Sequence, residues 1–182
     1  EKVADAMRVE KSTGRKVESA NKWRAIYILG QIHHSLDQAE AAIKEYTRVQ
    51  DRFEDARQAI EYFTRQDLHV PEVTTVKPGD VVKLELAYRN IPAVNVVVYR
   101  IDLMKFSLLR RSLEEITNIN LAGIRPIHEV DVKLGEGKDY REKNSQVTLP
   151  LKEEGAYLVV CRGENLYTSG MVVVSPLVAE VQ

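Results

Sequence analysis

Cysteine is nearly absent: Cys161 stands alone among 182 residues, which excludes an internal disulfide framework and any metal site built only from cysteines. A surplus of charge is absent too. Lys and Arg number 26 against 27 Asp and Glu, a formal net charge of −1, whereas binding a phosphate backbone requires basic residues gathered on one face. A nucleic-acid partner is therefore not expected. No apolar run approaches the roughly 20 residues of a membrane-spanning helix, so no membrane insertion is expected within this segment. No signal peptide opens the chain; it begins on Glu1 rather than Met and is read as a piece of a longer precursor. What the chain does have is an apolar fraction of 44%, enough for real cores in one medium or two small domains.

The pattern switches at Thr75 to Asn90. A Pro78-Gly79 turn is followed by alternation, with Val82, Leu84, Leu86 and Tyr88 on one face and Lys83, Glu85 and Arg89 on the other, the period of a half-buried strand. Before it the chain reads as helix, after it mostly as strand. The expected fold class is α+β in two modules: N-terminal antiparallel α-helical hairpins over 1–66, a linker over 67–75 and an immunoglobulin-like β-sandwich with an inserted helix over 76–182.

In the first module, Val3, Ala6, Met7 and Val9 suggest a truncated helix ending before Gly14. From about Val17 a stripe of Trp23, Ile26, Tyr27, Leu29, Gly30 and Ile32 marks a second helix. Asp37, with Glu40 three positions on, reads as the N-cap of a third, which carries Ala39, Ala42, Ile43, Tyr46 and Val49. A last helix carries Phe53, Ala56, Ala59, Ile60 and Phe63. Trp23, Leu29-Gly30, Ala42, Tyr46 and Val49 resemble the tetratricopeptide repeat, a unit of about 34 residues in which small residues let two helices approach closely. His33 stands where that family usually has Tyr, and its usual Pro is missing near Glu54. The resemblance implies the last repeat of an array plus a closing helix, with a groove for an extended peptide or helix. Trp23, Arg24, Tyr27, Gln31 and His34 are its candidate binding residues; the structural alternative has Trp23 and Tyr27 packing against the preceding repeat.

In the second module, 94–101 is apolar on both parities and belongs in the middle of a sheet. Leu103, Phe106, Leu109, Leu113 and Ile116 trace an amphipathic helix with Lys105, Arg110 and Arg111 on its polar side. Strands are expected at 128–134, 145–151, 157–162 and 171–174, the last two a hairpin around Gly163-Glu164-Asn165. Six or seven short strands separated by turns indicate an immunoglobulin-like sandwich. Val76-Lys77-Pro78-Gly79-Asp80, Tyr88-Arg89-Asn90, Val98 to Leu103, Leu149 to Val159 and Met171 to Ser175 are together similar to a macroglobulin domain of the bacterial alpha-2-macroglobulin type. That resemblance spans about residues 72–178 and implies a seven-stranded structural block in large extracytoplasmic protease-trapping proteins. Their trapping chemistry uses a Cys-Gly-Glu-Gln thioester; Cys161-Arg162-Gly163-Glu164 lacks the Gly and the Gln, so protease capture is not carried over.

No set of reacting groups emerges. Cys161 belongs to an apolar strand and reads as core rather than reactive thiol. His33 and His34 diverge by about 100° on a helix, unlike the i, i+4 pair that binds metal. His69 falls in the linker, and His128 and Glu129 face opposite sides of a strand. Glu114-Glu115 and Glu153-Glu154 read as solvated carboxylates, and Gly135-Glu136-Gly137-Lys138 as a hairpin turn lacking the full phosphate-loop pattern. The expectation is thus a non-catalytic interaction or scaffold segment of a larger alpha-2-macroglobulin-like bacterial protein, extracytoplasmic by resemblance. No catalytic residues, metal or cofactor are expected, and its partner is a protein or peptide, including other domains of the same precursor. The rivals are a hydrolase or protease-associated site between the modules, and a carbohydrate- or surface-binding sandwich, for which Tyr140 and Tyr167 are the loop aromatics.

Overall fold

The computed structural model describes residues 7–10, 12–102 and 124–176. The amphipathic helix expected from Leu103 to Ile116, with Lys105, Arg110, Arg111 and Glu114-Glu115, lies outside the described residues. The chain divides into two compact units, Glu1–Arg65 and Gln66–Gln182.

The first unit opens with a hairpin. β1 (Met7–Val9) pairs antiparallel with β2 (Lys16–Glu18), correcting the helix expected through Val9. Gly14, at φ +68°, takes the left-handed conformation that only glycine adopts freely, and its N–H donates to the Glu10 carbonyl at 2.8 Å. Two valines on the strands favour extended backbone. Helices follow: α1 (Lys22–Ser35), α2 (Ala39–Thr47) and α3 (Glu54–Thr64). Ile26, Ala42, Tyr46, Ala56 and Phe63 are their buried side chains, with Val49 buried just beyond α2, on the helical stripes read from the sequence. Gly30 lets α1 and α2 approach, because a Cβ there would sit 2.8 Å from the Tyr46 ring. Asp37 does not cap α2. It adopts φ +61°, and its N–H and that of Gln38 donate to the carbonyls of His34 and His33, so it closes α1 in the way a left-handed C-terminal residue does. Gln38 is the N-cap of α2 and makes no side-chain cap bond.

The second unit is a two-sheet sandwich. β3 (Asp67–His69), β5 (Val82–Arg89) and β8 (Lys143–Leu149) form an antiparallel sheet in the order β3-β5-β8. β4 (Val73–Val76), β10 (Leu166–Val174), β9 (Gly155–Gly163), β6 (Ala93–Ile101) and β7 (His128–Lys133) form the other, in the order β4-β10-β9-β6-β7. All its pairs are antiparallel except β4 with β10, which is parallel. The period-two face of β5 (Val82, Leu84, Leu86, Tyr88) meets Val94, Val96, Val98, Tyr157, Val159, Cys161, Val172 and Val174 of the larger sheet in one core. β6 lies in the middle of its sheet, as its apolar run on both parities requires.

The stretch expected as a linker, 67–75, is a correction. It carries β3 and most of β4, one strand for each sheet, bringing the described strands of the sandwich to eight. Between them Leu68 and Val70 enter the core, and the Met171 N–H donates to the Glu72 carbonyl at 2.8 Å. Gly170 runs so close to the Pro71 carbonyl oxygen that no Cβ fits there. Three- and four-residue strands are too short to display a period, so their pairing partners define them instead.

Candidate functional site

The groove residues sit along α1. Arg24 and Gln31, seven positions apart, are exposed on one side of the helix, while Trp23 and Tyr27 are half-buried. Two cations approach Trp23, with Arg52 Cζ 4.5 Å and Lys22 Nζ 5.0 Å from its ring centre, within the range of cation–π attraction. Tyr27 stacks on Phe53 at 4.6 Å between centroids and 12° between planes. A polar chain runs over this packing: Gln31 Nε2 donates to the Tyr27 hydroxyl at 3.1 Å, and that hydroxyl donates to Asp55 Oδ2 at 3.3 Å. Burial raises the Tyr27 pKa above 10.0, and the neighbouring Asp55 carboxylate raises it further, since phenolate beside carboxylate is disfavoured. His34 is exposed but leans on Phe63, 4.6 Å between centroids, and its Nδ1 lies 3.4 Å from the Tyr46 hydroxyl. The structure thus brings Tyr27 and His34 onto an aromatic seam shared with Phe53, Tyr46 and Phe63, while Trp23 contacts the cations of Lys22 and Arg52. Arg24 and Gln31 face outward, His34 is exposed at its edge, and Tyr27 and Tyr46 pack within this unit.

The residues of the Tyr88-Arg89-Asn90 motif build a second polar cluster. Arg89 and Asn90 are the buried polar residues among those described. Arg89 Nη2 donates to the Tyr140 carbonyl at 2.7 Å, Tyr140 N–H donates to Asn90 Oδ1 at 2.8 Å, and Asn90 and Tyr140 both take positive φ, +53° and +55°. The Tyr88 hydroxyl donates to the Leu134 carbonyl at 3.0 Å. These bonds tie the end of β5 to the loop between β7 and β8, where Asp139 pairs with Lys143. Sequence reasoning missed the burial of Arg89. Its signal is local: an Arg next to an Asn at a strand end, where Asn accommodates the left-handed turn.

The third group is the corner before β9. Tyr157 is buried, and its hydroxyl donates to the Glu153 carbonyl at 2.7 Å, the back-bond of the tyrosine corner of immunoglobulin-like sandwiches. Arg100 pairs with the Glu153 carboxylate and donates to the Glu154 carbonyl at 3.3 Å. Glu153-Glu154 is therefore an anchored turn, not an acid/base pair.

Cys161 is fully buried, and desolvation pushes its thiol up to about 12. Among the described residues no group of three or more His, Cys, Asp or Glu could hold a metal ion, and no described helix is long and apolar enough to cross a membrane.

No family model and no curated protein matches the chain. Solved structures similar to the chain include two of a bacterial macroglobulin and one of a sulfur carrier protein. Native alpha-2-macroglobulin from Escherichia coli spanning domains MG0-NIE-MG1 is 17% identical, TM-score 0.45, with 61% of this chain covering 39% of that one. The structure spanning NIE-MG1 is 16% identical, TM-score 0.44, with 62% of this chain covering 61% of that one. The sulfur carrier protein SoxY from Chlorobium limicola f thiosulfatophilum is 14% identical, TM-score 0.25, over 62% of this chain and 80% of its own. The chain thus spans about two fifths of the first structure and three fifths of the second. The tetratricopeptide-like repeat finds no support in the structure, where a strand hairpin rather than a helix precedes α1.

Proposed function

We propose that this chain is a non-catalytic building block of a larger, macroglobulin-like bacterial protein working outside the cytoplasm, with a helical unit that contacts a protein or peptide partner. The observation that carries the reading is how the motif residues are used. In the stretches that resemble macroglobulin domains, the chemically capable side chains hold turns and strand ends: Arg89 and Asn90 on Tyr140, Arg100 on Glu153 and Glu154, Tyr157 on the Glu153 carbonyl. The Pro78-Gly79 turn closes through Asp80 N–H to the Lys77 carbonyl at 3.1 Å. Groups consumed in this way shape a surface and are not positioned for proton transfer or attack.

The partner surface proposed is the Arg24–Gln31 side of α1, flanked by Trp23, Tyr27 and His34. Crosslinking of the longer protein in its native extract tests it. Replacing Arg24 and Gln31 together by Ala, both exposed, should shift unfolding stability by no more than about 0.5 kcal/mol and abolish the crosslink that the unsubstituted α1 forms. An unchanged crosslink pattern would refute the groove.

A further inference from the structure

The outer face of the five-stranded sheet carries a row that the architectural reading does not use. Pairing places Asn95 opposite Asp131 on β7 and opposite Arg162 on β9, and Arg162 opposite Tyr167 on β10. Cross-strand partners share a face, and the alternate residues Val94, Val96, Cys161 and Val172 fill the core. The row therefore points away from the core.

Next to it lies a recess of about 350 Å³ lined by Val160, Arg162, Glu164, Asn165, Leu166 and Tyr167. Its volume is at the low end for small-molecule sites. Tyr167 is 76% exposed, the highest value among the exposed large hydrophobic residues described, although it belongs to a regular strand paired with β9. Val160, two residues from Arg162 on the same face, is 7% exposed and supplies an apolar wall. At the flank, the Asn95 amide donates to Glu129 Oε1 at 3.1 Å and to Asp131 Oδ1 at 2.9 Å, which fixes its orientation and leaves its oxygen as an acceptor.

We propose that this recess binds a neutral carbohydrate. The exposed phenol ring offers an apolar plane that releases water when another apolar face covers it, and a sugar ring presents such a C–H face with hydroxyls around its rim. Around the plane stand a guanidinium with donors only, a carboxylate with acceptors only and an amide with both, the mixture that a polyol satisfies. Charge selects against the alternatives. Arg162 and Glu164 balance each other in the lining, and Glu129 and Asp131 beside them repel phosphates and other anions. A peptide adding as a strand lies in the plane of the sheet along an edge; here it would sit beside β10, which β4 pairs only at Met171–Val174, and not over the face that carries the ring. A protein anchor would bury several aromatics or arginines at its centre, and this face offers a single ring.

The test is a titration of the whole chain, isotope-labelled, with cellotetraose and with chitotetraose to several millimolar, followed by amide shifts. Saturable shifts confined to 160–167 and the Asn95 neighbourhood are expected from at least one of the two. Tyr167→Ala should weaken binding about tenfold, the scale of one lost aromatic contact, with the melting temperature retained. Tyr167→Phe, which keeps the ring, should bind within about twofold of the natural chain. No saturable shift with either saccharide would overturn the proposal, as would shifts insensitive to Tyr167→Ala, or a response of these amides to a protein partner alone.

Discussion

The Cys161 sulfur is closed off by the two-sheet core, and desolvation alone moves its pKa from an ordinary 9.0 to about 12. The folded chain therefore holds this proton over a range where the unfolded chain has lost it. By linkage the thiol's contribution to stability is complete below pH 9 and is lost as pH rises from 9 towards 12; Tyr27, raised above 10.0, acts in the same direction. A thiol reagent should leave Cys161 unmodified in the native state at neutral pH and label it fully in denaturant; rapid native labelling would show that the core is open. The sequence pattern already pointed to a core cysteine, because its strand neighbours Val159 and Val160 are apolar. Arg89 was not legible in the same way. It occupies the outward position of an alternating strand, and only the fold over of the Tyr140 loop, distant in sequence, buries it.

Among the elements, α1 and α2 meet through the smallest side chain available. Glycine inside a helix ordinarily costs about 1 kcal/mol relative to alanine, so Gly30→Ala would stabilise a solvent-facing position. Here the added Cβ would lie 2.8 Å from two atoms of the Tyr46 ring, a ring that is itself buried and packed near Tyr27 and His34. Overpacking of this kind costs about 1–3 kcal/mol, so the net effect expected is destabilisation by about 1 kcal/mol. Because Trp23 is the chain's one tryptophan and sits in this unit, its fluorescence follows the transition in urea; a Gly30→Ala chain more stable than the natural one would contradict the close approach. The three helices were legible because each spans two or more turns of a clear apolar period. β1, β3 and β4 were not, since strands of three or four residues owe their existence to partners: β1 to a glycine turn, β3 to β5, β4 to β10. Asp37 misled for a related reason, as the residue types that cap a following helix also tolerate the left-handed close of the preceding one.

In the molecule as a whole, the sandwich was legible as a class because turn residues punctuate its longer strands. Its two-sheet layout came from long-range pairing that no local pattern carries, such as β4 running parallel beside β10. The facing of the α1 aromatics was not legible, because a stripe of aromatics has the same spacing whether it packs inward or meets a partner. If the polar residues of the macroglobulin-like stretches build the fold, the Tyr157 hydroxyl must carry stability, and Tyr157→Phe tests this most directly. The substitution removes one buried hydroxyl, 2.7 Å from the Glu153 carbonyl, and leaves the ring in the core. Urea unfolding followed by far-UV circular dichroism should show a loss of about 1 kcal/mol at unchanged slope. A Tyr157→Phe chain as stable as the natural one would contradict the account.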